Sequence, residues 1–120
     1  MKLEDQVTSL ALSKRLKELG VKQDSLFHWK DDRGYGYPED WIIIEGRPGL
    51  RTSCSAFTVA ELGELLPWYV DFGSSNETGP RYARFPKPGV EFYHYEEART
   101  EADARAKLLI LLLEQKLVKP

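Results

Sequence analysis

The chain has 120 residues, a net charge of −2, 42% hydrophobic residues and 30% charged residues, and these values predict one soluble globular domain spanning residues 1–120. The small negative charge argues against bulk nucleic acid and acidic membranes as partners. The polar start of the chain, the lack of a long apolar run and the single Cys54 argue against a signal peptide, a membrane span and a disulfide, and so predict a cytoplasmic protein.

The first predicted element is a helix over about residues 9–19. Thr8 is expected to be its N-cap, Ser13 is expected to face water, and Gly20 is expected to end the helix in the left-handed conformation. The buried face of this helix is predicted to be the apolar stripe of Leu12, Leu16 and Leu19.

Three strands are predicted next, at about residues 25–30, 41–45 and 50–56. A polar loop with two glycines and a proline separates the first two strands. The third strand alternates in polarity, which predicts that Cys54 faces the core and that Ser55 faces the other way.

A middle helix follows, and its start signal is complete. Thr58 is the expected N-cap and Glu61 stands three residues later, which is the spacing of a capping box. Phe57 and Leu62 can pack together across this cap, and Pro67 is expected to end the helix. The stretch is therefore interpreted as scaffold.

The second half of the chain is predicted to contain three more strands and a final helix. The strands fall at about residues 68–72, 81–85 and 90–95. The helix starts at Thr100, with Asp103 at the capping-box position, and runs to about Lys116. The element order is then αβββαβββα, which predicts an α+β fold with a largely antiparallel sheet.

The last two strands are predicted to form a hairpin around the sequence PKPG. Setting Phe85 opposite Val90 puts Phe92 on the core side and leaves Tyr93 and Tyr95 on the outer face. The same register pairs Arg84 with Glu91 and Tyr82 with Tyr93. Rings on the outer face either stabilise the sheet or bind a ligand, and the sequence is compatible with both roles.

The final helix carries the run LLILLL, which is apolar around the whole helix circumference. A surface helix needs only one apolar stripe, so Leu108, Leu111 and Leu112 need a second cover. The middle helix, the first helix or another subunit could supply that cover. Because an extra apolar face on a small domain favours self-association, a homo-oligomer is expected.

No residue pattern in the chain indicates catalysis. Cys54 could form a nucleophile–base pair with His28 or His94, but it lies on the apolar side of its strand, where a free cysteine usually serves as a small core residue. Two distant histidines and one cysteine give no metal-binding spacing, and no phosphate-binding glycine loop is present. We therefore expect no enzyme, no metal and no cofactor.

Two stretches contain arginine and no acidic residue, at residues 46–56 and 79–90. Guanidinium and hydroxyl groups bind phosphate oxygens, and aromatic rings stack on bases, so these stretches suggest a site for a small phosphorylated, nucleotide-type ligand. The same arginines can instead pair with surface carboxylates. The candidate ligand-binding residues are Trp29, Arg47, Arg51, Ser53, Arg81, Tyr82, Arg84, Tyr93 and Tyr95.

Three blocks of the chain, residues 9–29, 55–67 and 100–114, resemble a family of small proteins encoded by bacteriophages and prophages. The blocks read SLALSKRLKELGVKQDSLFHW, SAFTVAELGELLP and TEADARAKLLILLLE, and the resemblance lends no active-site residues. It implies a phage protein that acts against host defence in the bacterial cytoplasm. The leading hypothesis is an oligomeric sponge for a nucleotide-derived immune signal. The alternatives are a protein-binding inhibitor or adaptor without a small ligand, and a hydrolase of such a signal.

Overall fold

The structure is a computed structural model that describes residues 2–46, 53–67, 71–74, 80–86 and 93–120. It gives the backbone, but not the side chains, of residues 71, 72, 74, 85, 86 and 93–95. The predictions made for Arg47, Arg51, Glu91 and Phe92 lie outside the described residues, as do the predicted strand portions at 50–52, 68–70 and 90–92.

The described residues form helices and antiparallel strands, which confirms the predicted α+β class. The helices are α1 (Leu3–Gln6), α2 (Leu10–Glu18), α3 (Val59–Leu65) and α4 (Glu101–Glu114), with a 3₁₀ helix at Pro38–Asp40. The strands are β1 (Phe27–Asp31), β2 (Trp41–Glu45), β3 (Ser53–Ala56), β4 (Asp71–Ser74), β5 (Arg81–Pro86) and β6 (Tyr93–Ala98). They form a first sheet of order β2-β1-β3 and a second sheet of order β4-β5-β6, rather than one sheet. The short α1 is an addition to the predicted order. None of the described helices has the length and apolar content needed to cross a membrane.

Helices α2 and α4 join the two sheets. Helix α2 packs against β3 of the first sheet, α4 packs against β5 and β6 of the second sheet, and the two helices pack against each other. Helix α3 also packs against α4. The hydrophobic core therefore follows α4, which other elements contact on several sides.

Elements of the same chain cover most of the apolar surface of α4. Leu108 and Leu112 are fully buried, and Leu111 keeps partial exposure. The second cover that the apolar sequence of this helix requires is thus largely internal, because α2, α3 and the second sheet all pack against it. The apolar circumference of α4 is therefore no argument for self-association, and the homo-oligomer stays a prediction.

The start of α2 differs from the prediction. Ser9, not Thr8, stands at the N-cap position, and its side chain makes no capping hydrogen bond. Thr8 is buried instead, and its hydroxyl accepts a hydrogen bond from the backbone N–H of Phe57 at 3.0 Å. Ser13 is buried beside it, with the two hydroxyl oxygens 2.6 Å apart. The expectation that Ser13 faces water is therefore wrong.

The end of α2 confirms the prediction. Gly20 has a φ of +89°, in the left-handed region that favours glycine. The backbone N–H groups of Gly20 and Val21 donate to the carbonyls of Lys17 and Leu16, respectively. This pair of hydrogen bonds is the Schellman motif, which satisfies carbonyl groups that the helix end leaves unpaired.

The predicted capping box of α3 is present, and it gives a prediction for stability. The Thr58 hydroxyl accepts from the Glu61 N–H, and the Glu61 carboxylate accepts from the Thr58 N–H at 3.0 Å. Thr58→Ala is expected to lower the free energy of unfolding by about 1 kcal/mol because it removes the cap. Ser9→Ala is the matched control, since Ser9 makes no such bond. Urea denaturation followed by circular dichroism measures both, and equal losses would contradict these roles.

The hairpin of β5 and β6 has a different register from the predicted one. Phe85 pairs with His94 rather than with Val90, a shift of four residues. The predicted pairs are therefore wrong, because Tyr82 lies opposite Glu97 and Arg84 lies opposite Tyr95. An even shift keeps each residue on its predicted face of the sheet. The burial of Ala83 confirms which face is the core side.

Candidate functional site

Among the described side chains, the predicted ligand-binding residues do not gather in one site. Trp29 and Ser53 belong to the first sheet. Three others lie on β5 of the second sheet, namely Arg81, Tyr82 and Arg84. Arg47 and Arg51 lie outside the described residues, and Tyr93 and Tyr95 are described by their backbone alone. The described part of the chain therefore contains no cluster of these arginines and rings that would support the nucleotide-binding hypothesis.

Tyr82 and Arg84 contact each other on the outer face of β5. The Arg84 guanidinium carbon lies 5.1 Å from the centre of the Tyr82 ring, within the range of a cation–π contact. The Tyr82 ring also lies against Gly73, its cross-strand neighbour, so closely that a Cβ there would be 2.6 Å from the phenol oxygen. Both contacts indicate that Tyr82 stabilises the second sheet.

Arg81 lines a polar cleft of about 320 Å³ beside the start of α4. The other lining residues are Asp5, Arg99, Thr100 and Glu101. Arg99 forms a salt bridge with Asp5, and the hydrogen bond from Arg99 lowers the pKa of the Asp5 carboxyl. The cleft thus combines two guanidinium groups with two carboxylates, one of which already pairs with Arg99.

The strand register separates Cys54 from His28. His28 lies opposite Ser55 while Cys54 lies opposite Trp29, so the two side chains leave the first sheet on opposite faces. Cys54 is buried, and this burial raises the pKa of its thiol to about 11. A buried, protonated thiol is a poor nucleophile, so the geometry gives no support to catalysis by Cys54.

His28 belongs instead to a buried polar cluster. Its Nδ1 lies 2.6 Å from the Gly46 carbonyl oxygen, which can only accept, so Nδ1 carries the proton. Its Nε2 lies 3.3 Å from the Ser55 hydroxyl oxygen and 3.5 Å from the Gln23 carbonyl oxygen. Ser55 faces the side of the sheet opposite Cys54, as predicted, but it is fully buried there, and its backbone N–H donates to the Gln23 side chain. No substrate reaches a hydroxyl in this position, so the serine–histidine pair is structural.

Metal ligands do not gather in the described part of the chain. Among those residues, no three His, Cys, Asp or Glu side chains come close enough together to hold an ion.

A largely apolar groove of about 490 Å³ lies beside the first sheet. Its walls come from α1, the first residue of α2, the 3₁₀ helix and the strands β1 and β2. The lining residues are Leu3, Glu4, Leu10, Trp29, Pro38, Trp41, Ile42 and Ile43. Trp29 is the one predicted site residue that lines this groove.

Two tryptophans shape the groove, and each is held by a different contact. The Trp29 indole N–H donates to the Thr8 carbonyl at 2.9 Å, which ties β1 to the turn before α2. The Lys14 ammonium lies 4.5 Å from the centre of the Trp41 ring. The Trp41 indole N–H is buried without a hydrogen-bond acceptor among the described residues, so the cation–π contact and packing hold this ring.

The loop between β1 and β2 presents two tyrosines, and the second of them precedes Pro38, which lines the groove. Asp31 is buried, and its carboxylate accepts from the backbone N–H groups of Gly34 at 3.0 Å and Gly36 at 2.7 Å. Both glycines have positive φ, which lets the loop fold back onto this carboxylate. The anchored loop leaves Tyr35 at 75% and Tyr37 at 58% exposure.

We call the groove together with Tyr35 and Tyr37 the aromatic edge. Ile42, at 42% exposure, adds a third exposed apolar side chain to it. Composition predicts only a polar loop here, although the run GYGYP carries two tyrosines between glycines and a proline. Those two aromatic residues in an otherwise polar loop were the available signal.

The aromatic edge is surrounded by acidic residues. Residues 31–45 contain five carboxylates, those of Asp31, Asp32, Glu39, Asp40 and Glu45, against one arginine, Arg33. The pKa of Asp40 is raised, first by loss of solvent and then by the negative charges of Glu39, Asp31 and Asp32. Residues 31–45 thus carry a net negative charge, which the Lys14 ammonium beside Trp41 partly offsets.

Comparison of the chain with protein-family models, with curated proteins and with solved structures finds no match.

Proposed function

We propose that this chain is a non-enzymatic binding protein that holds another protein at the aromatic edge. The observation that carries this proposal is the exposure of Tyr35, Tyr37 and Ile42 beside an apolar groove. Exposed apolar side chains grouped on a small domain are typical of an interaction site, and tyrosine is enriched in such sites. The anchored loop supports the proposal, since a surface that is ordered before binding loses less entropy on association.

The sequence resemblance adds a setting to the proposal. It implies a phage protein in the cytoplasm of a bacterial host, so the partner would be a host protein, and a defence protein in particular. The aromatic edge then acts by occupying a surface that the host protein needs.

A nucleotide-type ligand is the second candidate, and the polar cleft favours it. Arg81 and Arg99 both line this cleft, and guanidinium groups bind phosphate oxygens. Of the rings that the sequence assigned to base stacking, the two with described side chains, Trp29 and Tyr82, do not line it.

Affinity capture with matched variants tests the function. The protein is immobilised, exposed to lysate from phage-infected bacteria, and the retained proteins and small molecules are identified by mass spectrometry. The triple variant Tyr35→Ser, Tyr37→Ser, Ile42→Thr is expected to weaken retention of the partner protein at least about tenfold, as loss of interface anchors does. Leu26→Ser is the control, because Leu26 is 64% exposed but does not line the groove.

Each outcome separates the two candidates. If the wild type and the Leu26 variant retain a protein equally and the triple variant loses it, the aromatic edge is the binding surface. If the triple variant retains a phosphorylated small molecule and Arg81→Ala does not, the function is nucleotide binding rather than protein binding at the aromatic edge. Retention of the same proteins by all variants would exclude the aromatic edge as the binding surface.

A further inference from the structure

The outer side of β2 has backbone groups that pair with no strand among the described residues. Within the antiparallel pair of β1 and β2, the Asp32 N–H donates to the Asp40 carbonyl and the Gly46 N–H donates to the Leu26 carbonyl. Hydrogen-bonded and non-hydrogen-bonded pairs alternate along such a ladder. The peptide groups of Ile42 and Ile44 therefore face β1, and those of Ile43 and Glu45 face away from it. Sheet order places no described strand on that side of β2.

The groove follows this free side. Ile42 and Ile43 are consecutive strand residues, so their side chains leave the sheet on opposite faces, yet both line the same groove. Trp29, Trp41 and Ile43 share one face of the sheet, so the groove lies on that face and also borders β2 at Ile42. An occupant of the groove therefore lies alongside the backbone of β2.

Charge selects the kind of occupant. Glu4 lines the groove, and Glu39 and Glu45 are exposed at the two ends of β2. A segment with basic residues matches these negative charges. A second copy of the chain would bring one acidic edge against another, and like charges at such short separation oppose the contact.

From this juxtaposition we propose that an extended segment of the partner protein binds as an added β-strand on the free side of β2. The segment carries apolar side chains at alternate positions, which enter the groove, and lysine or arginine next to them. Its backbone pairs with the peptide groups of Ile43 and Glu45. Strand addition of this kind takes affinity from the main chain and specificity from alternate side chains. The inference rests on the proposed function and specifies how the aromatic edge holds its partner.

A displayed library of random peptides, about nine residues long to match a strand, is the first probe. We expect selection on the wild-type protein to enrich peptides with apolar residues at alternate positions and a net positive charge. Enrichment of acidic peptides, of peptides without alternation, or of none at all would overturn the proposal.

Variants at Glu45 test the backbone contact with an enriched peptide. Glu45→Pro removes an N–H that faces away from β1, so the ladder between β1 and β2 is kept. Glu45→Gln removes only the charge. We expect the proline variant to weaken peptide binding at least about tenfold more than the glutamine variant does, as loss of a hydrogen bond in a desolvated contact would. Unchanged circular dichroism and thermal unfolding would show that the proline variant is folded.

Two N-methylated forms of the same peptide complete the test. In one form the odd-numbered residues are methylated, and in the other the even-numbered residues are methylated. An added strand uses the N–H groups of alternate residues, so one form should lose binding and the other should keep it. Equal binding by both forms, or equal loss, would overturn strand addition.

Failure of this inference is distinguishable from failure of the proposed function. If the aromatic edge retains its partner protein in the capture experiment while Glu45→Pro and N-methylation have no effect, the function stands and the strand mode is wrong. If light scattering shows a mass above 13.8 kDa that Glu45→Pro returns to one chain, the occupant is a second copy and the proposal is overturned.

Discussion

Leu112→Ala is expected to lower the free energy of unfolding by about 2–5 kcal/mol, the range for truncating a fully buried leucine. Leu112 has no exposed surface because α4 is packed by other elements of the same chain. Leu111→Ala is the matched control: Leu111 is its neighbour in sequence and keeps partial exposure, so a loss of about 1 kcal/mol is expected. Chemical denaturation of both variants gives the comparison.

The same pair of variants bears on the predicted homo-oligomer. Light scattering of the wild type at micromolar concentration compares the mass in solution with one chain of 13.8 kDa. If the protein is larger and Leu111→Ala reduces the mass, the exposed part of α4 forms a contact between copies. Similar losses of stability for the two variants would mean that a subunit interface buries Leu111 as well.

Asp31→Ala is expected to abolish retention of the partner protein and to lower the free energy of unfolding by about 1.5–3 kcal/mol, the worth of a hydrogen bond to a charged group. The Asp31 carboxylate is 4% exposed and accepts from the N–H groups of Gly34 and Gly36. Without these bonds the loop that carries Tyr35 and Tyr37 loses its anchor, and ordering it on binding then costs entropy.

Asp32→Ala is the control for this change, because Asp32 carries the same charge next to Asp31 but is exposed. It is expected to keep both stability and retention. Hydrogen exchange of the Gly34 and Gly36 amides measures the anchor directly, and their protection should be lost only in the Asp31 variant. If their protection survives in Asp31→Ala, the loop is held by other contacts and the aromatic edge is not organised by this carboxylate.

The sequence by itself determined features that depend on neighbouring residues. The capping box of Thr58 and Glu61 and the glycine that ends α2 are formed as predicted, since their hydrogen bonds join residues within one or two turns of the same helix. The side of β5 that faces the core was also predictable, because alternation along a strand assigns faces even where the pairing partner is wrong.

Only the tertiary structure decided which distant groups meet. The buried Thr8 hydroxyl accepts from the N–H of Phe57, 49 residues away. The Asp103 carboxylate accepts from the N–H of Ser9, 94 residues away, instead of completing a capping box with Thr100. The aromatic edge depends in the same way on α1, the start of α2 and β2 coming together. Such contacts follow from how the packed elements share buried surface and hydrogen bonds, and local sequence patterns do not encode that choice.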